Sequence, residues 1–232
     1  MPPSIEFVLF DMDGLLIDSE AIYTKVTNTI LAPYGKEMTW DIKAGCMGKP
    51  EREAAVHLLN AMRSKTPLWP TVPLLPGARK LILHLRAHKI PMAVATSSRR
   101  RNFELKTGHL GEIFIDCFEG KVVCGDDTQW NMRGKPEPDI FIVAAREILG
   151  RDVGPADAGD AAPNQLAERK KGLVFEDALP GMQAGKRAGM AVVWVPDANL
   201  LGVEYSGEEK ADQILKSLEE FVPEEWGLPP YA

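Results

Sequence analysis

The chain has 232 residues, with Lys plus Arg at 27 against Asp plus Glu at 33 and a net charge of -6. That length can bury one sizeable α/β core with an inserted module, or two small cores. An apolar fraction of 45% and a charged fraction of 26% exclude a disordered chain and a disulfide scaffold, and the acidic balance disfavours nucleic acid or an anionic membrane as partner.

An anionic small-molecule substrate must therefore meet positive charge that is arranged locally. The three cysteines, Cys46, Cys117 and Cys124, have no C-x-x-C spacing, which argues against zinc and fits a reducing cytoplasm. The apolar run at residues 5–10 is too short for a signal segment, and no other stretch is long enough to span a membrane. A cytoplasmic monomer is expected, with no nucleic acid and no membrane as partner.

Taken in chain order, the first predicted element is a strand at residues 6–10, apolar at Phe7, Val8, Leu9 and Phe10, as a strand buried on both faces reads. Helical patterns follow at 19–33 and 51–62, and the proline-rich connection 63–76 forbids a regular helix. After Gly77, the stripe of Ala78, Leu81, Ile82 and Leu85 predicts an amphipathic helix. Short apolar runs at 91–96, 173–175 and 191–195 predict further strands. Helices are predicted at 139–149 and at 180–188, where Gly181, Ala184, Gly185 and Ala188 permit close approach to a sheet. Residues 151–171 read as a solvent-exposed loop, and 207–221 as a final amphipathic helix. The alternation implies an α/β fold with a Rossmann-like parallel sheet and right-handed crossovers. A small helical cap is expected at 18–73, inserted into a core made of 1–17 and 74–232.

The residues that carry chemistry fall at predicted strand ends. Asp11 and Asp13, in Asp11-Met12-Asp13-Gly14, follow the first strand, where ligands bind in open parallel sheets. Two carboxylates so spaced can hold a divalent metal through oxygen while one stays free to attack. Thr96, Ser97 and Ser98 close the second predicted strand, where a hydroxyl and helix-start N–H groups suit phosphate oxygens. Lys135 precedes a helix and could neutralise phosphate. Glu176 and Asp177 supply a second acidic pair.

Each residue also has a plainer reading: Asp11, Thr96 and Asp177 as turn or capping residues, Lys135 as a solvated charge. The run Arg99, Arg100 and Arg101 reads as a solvated helix start. His57, His84, His88 and His109 lack paired ligand spacing, and the tryptophans do not alternate with a basic stripe.

The ordered set DMDGLLIDSE, ATSS, GKPEPDIF and FEDALPG resembles the four motifs of the haloacid dehalogenase superfamily across the whole core. That resemblance implies Asp11 as nucleophile, Asp13 as general acid and base, and Thr96 and Lys135 as phosphate-holding groups. It implies Mg²⁺ bound by Asp11, the backbone carbonyl of Asp13, and Asp177, with Glu176 acting through water. The reaction it implies is hydrolysis of a small phosphomonoester through an aspartyl phosphate. The segments MTWDIKAGCMGK, VCGDD, VPDANL and FVPEEWGLPPYA resemble the branch of pseudouridine-5'-phosphatases, which shares much with glycerol and sugar phosphate phosphatases. Ser97 and Lys49 are then candidate substrate contacts, Lys49 from a specificity loop in the cap. The region 64–72 lacks a further helix usual in such caps, and 151–171 is an insertion without a functional reading. A sugar phosphomutase, and a noncatalytic binding protein with a truncated cap, remain alternative readings.

Overall fold

The computed structural model describes residues 4–32, 69–198 and 206–231. Its centre is a six-stranded sheet in the order β3-β2-β1-β4-β5-β6. The strands are β1 Phe7–Phe10, β2 Met92–Thr96, β3 Val122–Cys124, β4 Gly172–Glu176, β5 Ala191–Trp194 and β6 Gln213–Ile214. Every pairing is parallel. The strands added after β1 run to one side of it and those after β3 return to the other, so β1 borders the switch point at which such sheets bind ligands. This is the α/β sheet that the alternating apolar runs predict.

Both faces of the sheet are covered, which explains why β1 and β4 are apolar at successive positions. Val8, Phe10, Leu173 and Phe175 point to one side and pack with Leu81, Ile82 and Leu85 of the helix Ala78–Ala87. Phe7, Leu9, Val174 and Val192 point to the other, against Ile140, Phe141, Met182 and Ala184. Gly185 of the helix Leu179–Arg187 lies so near β5 that a Cβ there would fall 2.7 Å from Val192 Cγ2. The small residues expected to bring that helix onto the sheet do so.

The helix Asp139–Val143 continues as a π-helical turn, Ala144–Ile148, within the span predicted as helix. Two expectations are corrected. Residues 207–221 are not a helix: they hold the two-residue strand β6 and the 3-10 turn Leu218–Glu220. Leu215, Leu218 and Phe221 recur every three residues and are all buried, a spacing that a 3-10 turn at a sheet edge satisfies as well as an α-helix. Residues 151–171 are not an exposed loop throughout. They form the helix Pro163–Arg169, with proline at its first turn. Val153 and Arg169 are fully buried, and the Arg169 guanidinium donates to the carbonyls of Val153 and Pro155.

The helix Ser19–Leu31 starts where expected, capped by Asp18, whose carboxylate accepts from Ala21 N at 3.1 Å. Residues 33–68, with the second predicted cap helix, Cys46 and Lys49, lie outside the described residues. The two ends of the expected insertion meet: Asp18 N donates to Pro73 O at 3.0 Å, and Ile17 bridges Leu74. Among the described residues no helix is long and apolar enough to cross a membrane.

Candidate active site

The carboxyl ends of β1, β2 and β4 open into a cleft of about 530 Å³ whose lining includes Asp11, Asp13, Thr96, Ser97, Lys135 and Asp177. Asp11 directly follows β1 and is held by its N–H donating to Phe175 O at 3.0 Å. Gly14, three residues beyond, has φ +82, and a Cβ there would fall 2.4 Å from Asp177 Oδ2. Only glycine combines that backbone angle with room for the carboxylate.

Lys135 is the electrostatic centre. Its Nζ donates to Asp11 Oδ1 at 2.5 Å, to Glu176 Oε1 at 2.6 Å and to the carbonyl of Ala95 at 3.2 Å. Burial would drive off its proton, but the charges of Asp11 and Glu176 more than offset this and hold it above its ordinary value. The loop that carries it is fastened by Arg133, whose Nε and Nη2 bond Asp139 Oδ2 at 3.0 and 2.9 Å.

Asp11, Glu176 and Asp177 can each offer a carboxylate oxygen within 4.8 Å of the others. They are not equivalent. Glu176 is spoken for: Oε1 takes Lys135, and Oε2 accepts from Asp177 N at 3.0 Å and Ala178 N at 3.1 Å. Asp177 is set by its own carbonyl, which accepts from Trp194 Nε1 at 2.8 Å. Burial, then the charges of Glu176 and Asp11, push the Asp177 carboxyl well above the usual carboxylate range. Burial likewise raises Asp11 to about 7, with Lys135 opposing and Glu176 adding to it. Lys135 alone does not neutralise this anionic cluster. Its all-oxygen donor set suits a hard divalent cation and not zinc.

Thr96 is buried at the end of β2, its Oγ1 accepting from Ser98 N at 3.1 Å. Ser97 is exposed and lines the cleft. Ser98 has a different place: its Oγ donates to Asp13 Oδ2 at 2.6 Å. The other oxygen of Asp13 accepts from Lys106 Nζ at 2.5 Å. Lys106 and Tyr23 are site residues that sequence reasoning missed. The signal for Lys106 is its position on the helix Arg100–Thr107, where it shares the buried face with Phe103 and Thr107. A lysine on an apolar stripe needs a partner. Arg100 pairs with Asp127 at 2.6 Å, so of the arginine run only Arg99 lines the cleft among the described residues.

A family model for haloacid dehalogenase-like hydrolase matches residues 5–189. (DL)-glycerol-3-phosphatase 2 of Arabidopsis thaliana is 42% identical over 98% of this chain and 93% of its own length. A protein of Drosophila melanogaster named probable pseudouridine-5'-phosphatase is 39% identical over 97% and 94%. Among solved structures, CbbY from Rhodobacter sphaeroides in complex with phosphate superposes with a TM-score of 0.68, covering 93% of this chain and 96% of that one. At 24% identity that likeness speaks for the fold. The chain belongs to the haloacid dehalogenase-like hydrolase family.

Proposed function

We propose that this hydrolase is a Mg²⁺-dependent phosphatase that cleaves small phosphomonoesters of primary alcohols through a phosphorylated Asp11. Its standing as a phosphomonoester hydrolase rests on the family and on relatives named as phosphatases along nearly the whole chain. The observation that carries the mechanism is Asp11 at the switch point, bonded to a buried lysine and faced by a second acidic pair. Glycerol 3-phosphate and pseudouridine 5'-phosphate, the substrates those relatives' names indicate, are both esters of a primary alcohol. Such an alcohol is a poor leaving group unless it is protonated.

In the first step an oxygen of Asp11 forms a bond to phosphorus as the bond to the leaving oxygen breaks, and Asp13 gives that oxygen a proton. In the second, Asp13 takes a proton from water, the water oxygen bonds to phosphorus, and the Asp11–phosphorus bond breaks. Lys135 restrains Asp11 and offsets charge on the phosphoryl oxygens. Thr96 and Ser97 supply contacts to those oxygens. Asp11, the backbone carbonyl of Asp13, and Asp177 would hold Mg²⁺, with Glu176 reaching it through water. When bound, Mg²⁺ supplies further charge stabilisation for the transferring group. Residues 18–73 are proposed as the cap, inserted where Asp18 meets Pro73, and Lys49 as its contact to substrate.

The experiment is phosphate release from a panel of pseudouridine, nucleoside, glycerol and sugar monophosphates, with and without Mg²⁺. Release from glycerol or pseudouridine monophosphate that needs Mg²⁺ supports the reading. A panel without release, or release indifferent to Mg²⁺ after chelation, contradicts it.

A further inference from the structure

Lys106 is a charged side chain with no exposed surface, and it does not touch the metal-binding carboxylates Asp11 and Asp177. Its Nζ bonds Asp13 Oδ1 at 2.5 Å, Ser98 Oγ at 3.1 Å and Tyr23 Oη at 3.3 Å. Two aromatic faces complete the enclosure, the Trp69 ring centroid at 4.7 Å and that of Tyr23 at 5.3 Å. These rings pack on each other at 5.4 Å, edge to face. Tyr23 comes from the helix by which the chain leaves the core, and Trp69 from the segment by which it returns. An ammonium in such an aromatic box gains cation–π attraction in place of water, but among the described residues the carboxylate it pairs with is Asp13.

Burying a lysine is costly unless a carboxylate and hydrogen bonds compensate. A structural ion pair could meet that need anywhere in the core. Here it is spent on a carboxyl group that keeps 20% of its side-chain surface exposed and lines the cleft. With Ser98 on Oδ2 and Lys106 on Oδ1, both oxygens of Asp13 are tethered, which leaves its χ angles little freedom.

We infer that Lys106, held by Tyr23, Trp69 and Ser98, is a positioning residue that keeps the Asp13 carboxyl aimed at the leaving oxygen of the substrate. The inference rests on the proposed role of Asp13 as the acid that protonates the leaving alcohol. Proton delivery depends on the distance and direction of the donor, so loosening Asp13 should slow esters that need the proton and spare those that do not. An alkoxide leaves only as it is protonated, whereas a 4-nitrophenolate leaves unaided.

The test compares kcat/KM, which reports on phosphorylation of the enzyme, for 4-nitrophenyl phosphate and for an alkyl phosphate that the panel shows to be cleaved. Lys106→Met keeps the stem against the rings and removes the ammonium. The expected result is a loss on the alkyl ester at least about tenfold greater than on the aryl ester. In the double variant Lys106→Met/Asp13→Asn, the alkyl activity should fall no further than in Asp13→Asn alone. Equal losses on the two esters, or a further loss in the double variant, would overturn the role. Should Lys106→Met lose its near-UV circular dichroism, Tyr23→Phe decides the matter. It keeps the ring and removes the hydroxyl, and a split of about threefold or more in the same direction upholds the role while equal activities overturn it. Wild-type protein that releases phosphate from neither ester would instead sink the phosphatase reading itself, which separates the two failures.

Discussion

Gly181 faces Glu176 so closely that a Cβ on the glycine would fall 1.7 Å from Oε1 and 1.9 Å from Cδ. The helix Leu179–Arg187 can begin beside the site only because this position has no side chain. Glu176 cannot swing aside freely, since Lys135 and two backbone N–H groups hold both its oxygens.

Gly181→Ala should therefore act on the site and not only on the helix. Overpacking of this kind costs about 1–3 kcal/mol, although alanine favours a helix over glycine. Denaturant unfolding is expected to show a loss of that size, together with a higher Mg²⁺ concentration for half-maximal activity. A variant as stable as wild type with an unchanged Mg²⁺ titration would show that Glu176 tolerates displacement.

Lys135 joins Asp11 and Glu176 with little solvent access, its side chain 8% exposed. Removing one member of a buried ion pair leaves its partners charged and unpaired, at a cost of about 3–5 kcal/mol. Lys135→Met is expected to be destabilised by that order in the absence of metal and to be inactive on every ester. The check is thermal unfolding beside phosphate release. Retained turnover would remove Lys135 from the phosphate-holding group.

The acidic cluster has a pH signature in the metal-free protein. Asp11 ionises near 7 when folded against an ordinary value of 3.8, so the folded state binds more protons between those values. Its stability is then fully present below the unfolded value and falls as the pH rises through the folded one. Asp177 shifts in the same direction. Relative to metal-free wild type, Asp11→Asn should gain in melting temperature as the pH is raised from about 4 to about 7, and Mg²⁺ should narrow that gap. A difference that stays flat with pH would contradict the burial of an ionised Asp11.

The sheet and the first layer of the site were legible in sequence because both depend on strands buried on two faces. Such strands are short apolar runs, and the residue after each run lies at the carboxyl edge where ligands bind. Asp11 and Glu176 directly follow such runs and Thr96 closes one, and the structure puts all three at that edge. β3 gives no strand signal in sequence, since three residues carry too little pattern. β6 was hidden because Leu215, Leu218 and Phe221 imitate a helical stripe. The helix Pro163–Arg169 lies in an Ala-, Asp- and Pro-rich stretch and owes its place to buried Arg169, whose partners are main-chain carbonyls that no side-chain pattern reveals.

Lys106 shows the same limit at the site. One lysine in FELKT looks like a surface charge until the helix is rotated to bring it onto the face of Phe103, and its partner Asp13 lies 93 residues away. Spacing along a strand or helix is local information, whereas ion pairs across the fold are not.

In the proposed reaction phosphate passes through Asp11. Protein mixed with a cleaved substrate carrying labelled phosphate and quenched in acid should retain label that hydroxylamine removes, located on the peptide containing Asp11. Asp11→Asn should hold no such label and release phosphate at least about 10³-fold more slowly while keeping the folded circular dichroism spectrum of wild type. Phosphate release by Asp11→Asn at the wild-type rate, or label on a different residue, would remove Asp11 as the nucleophile.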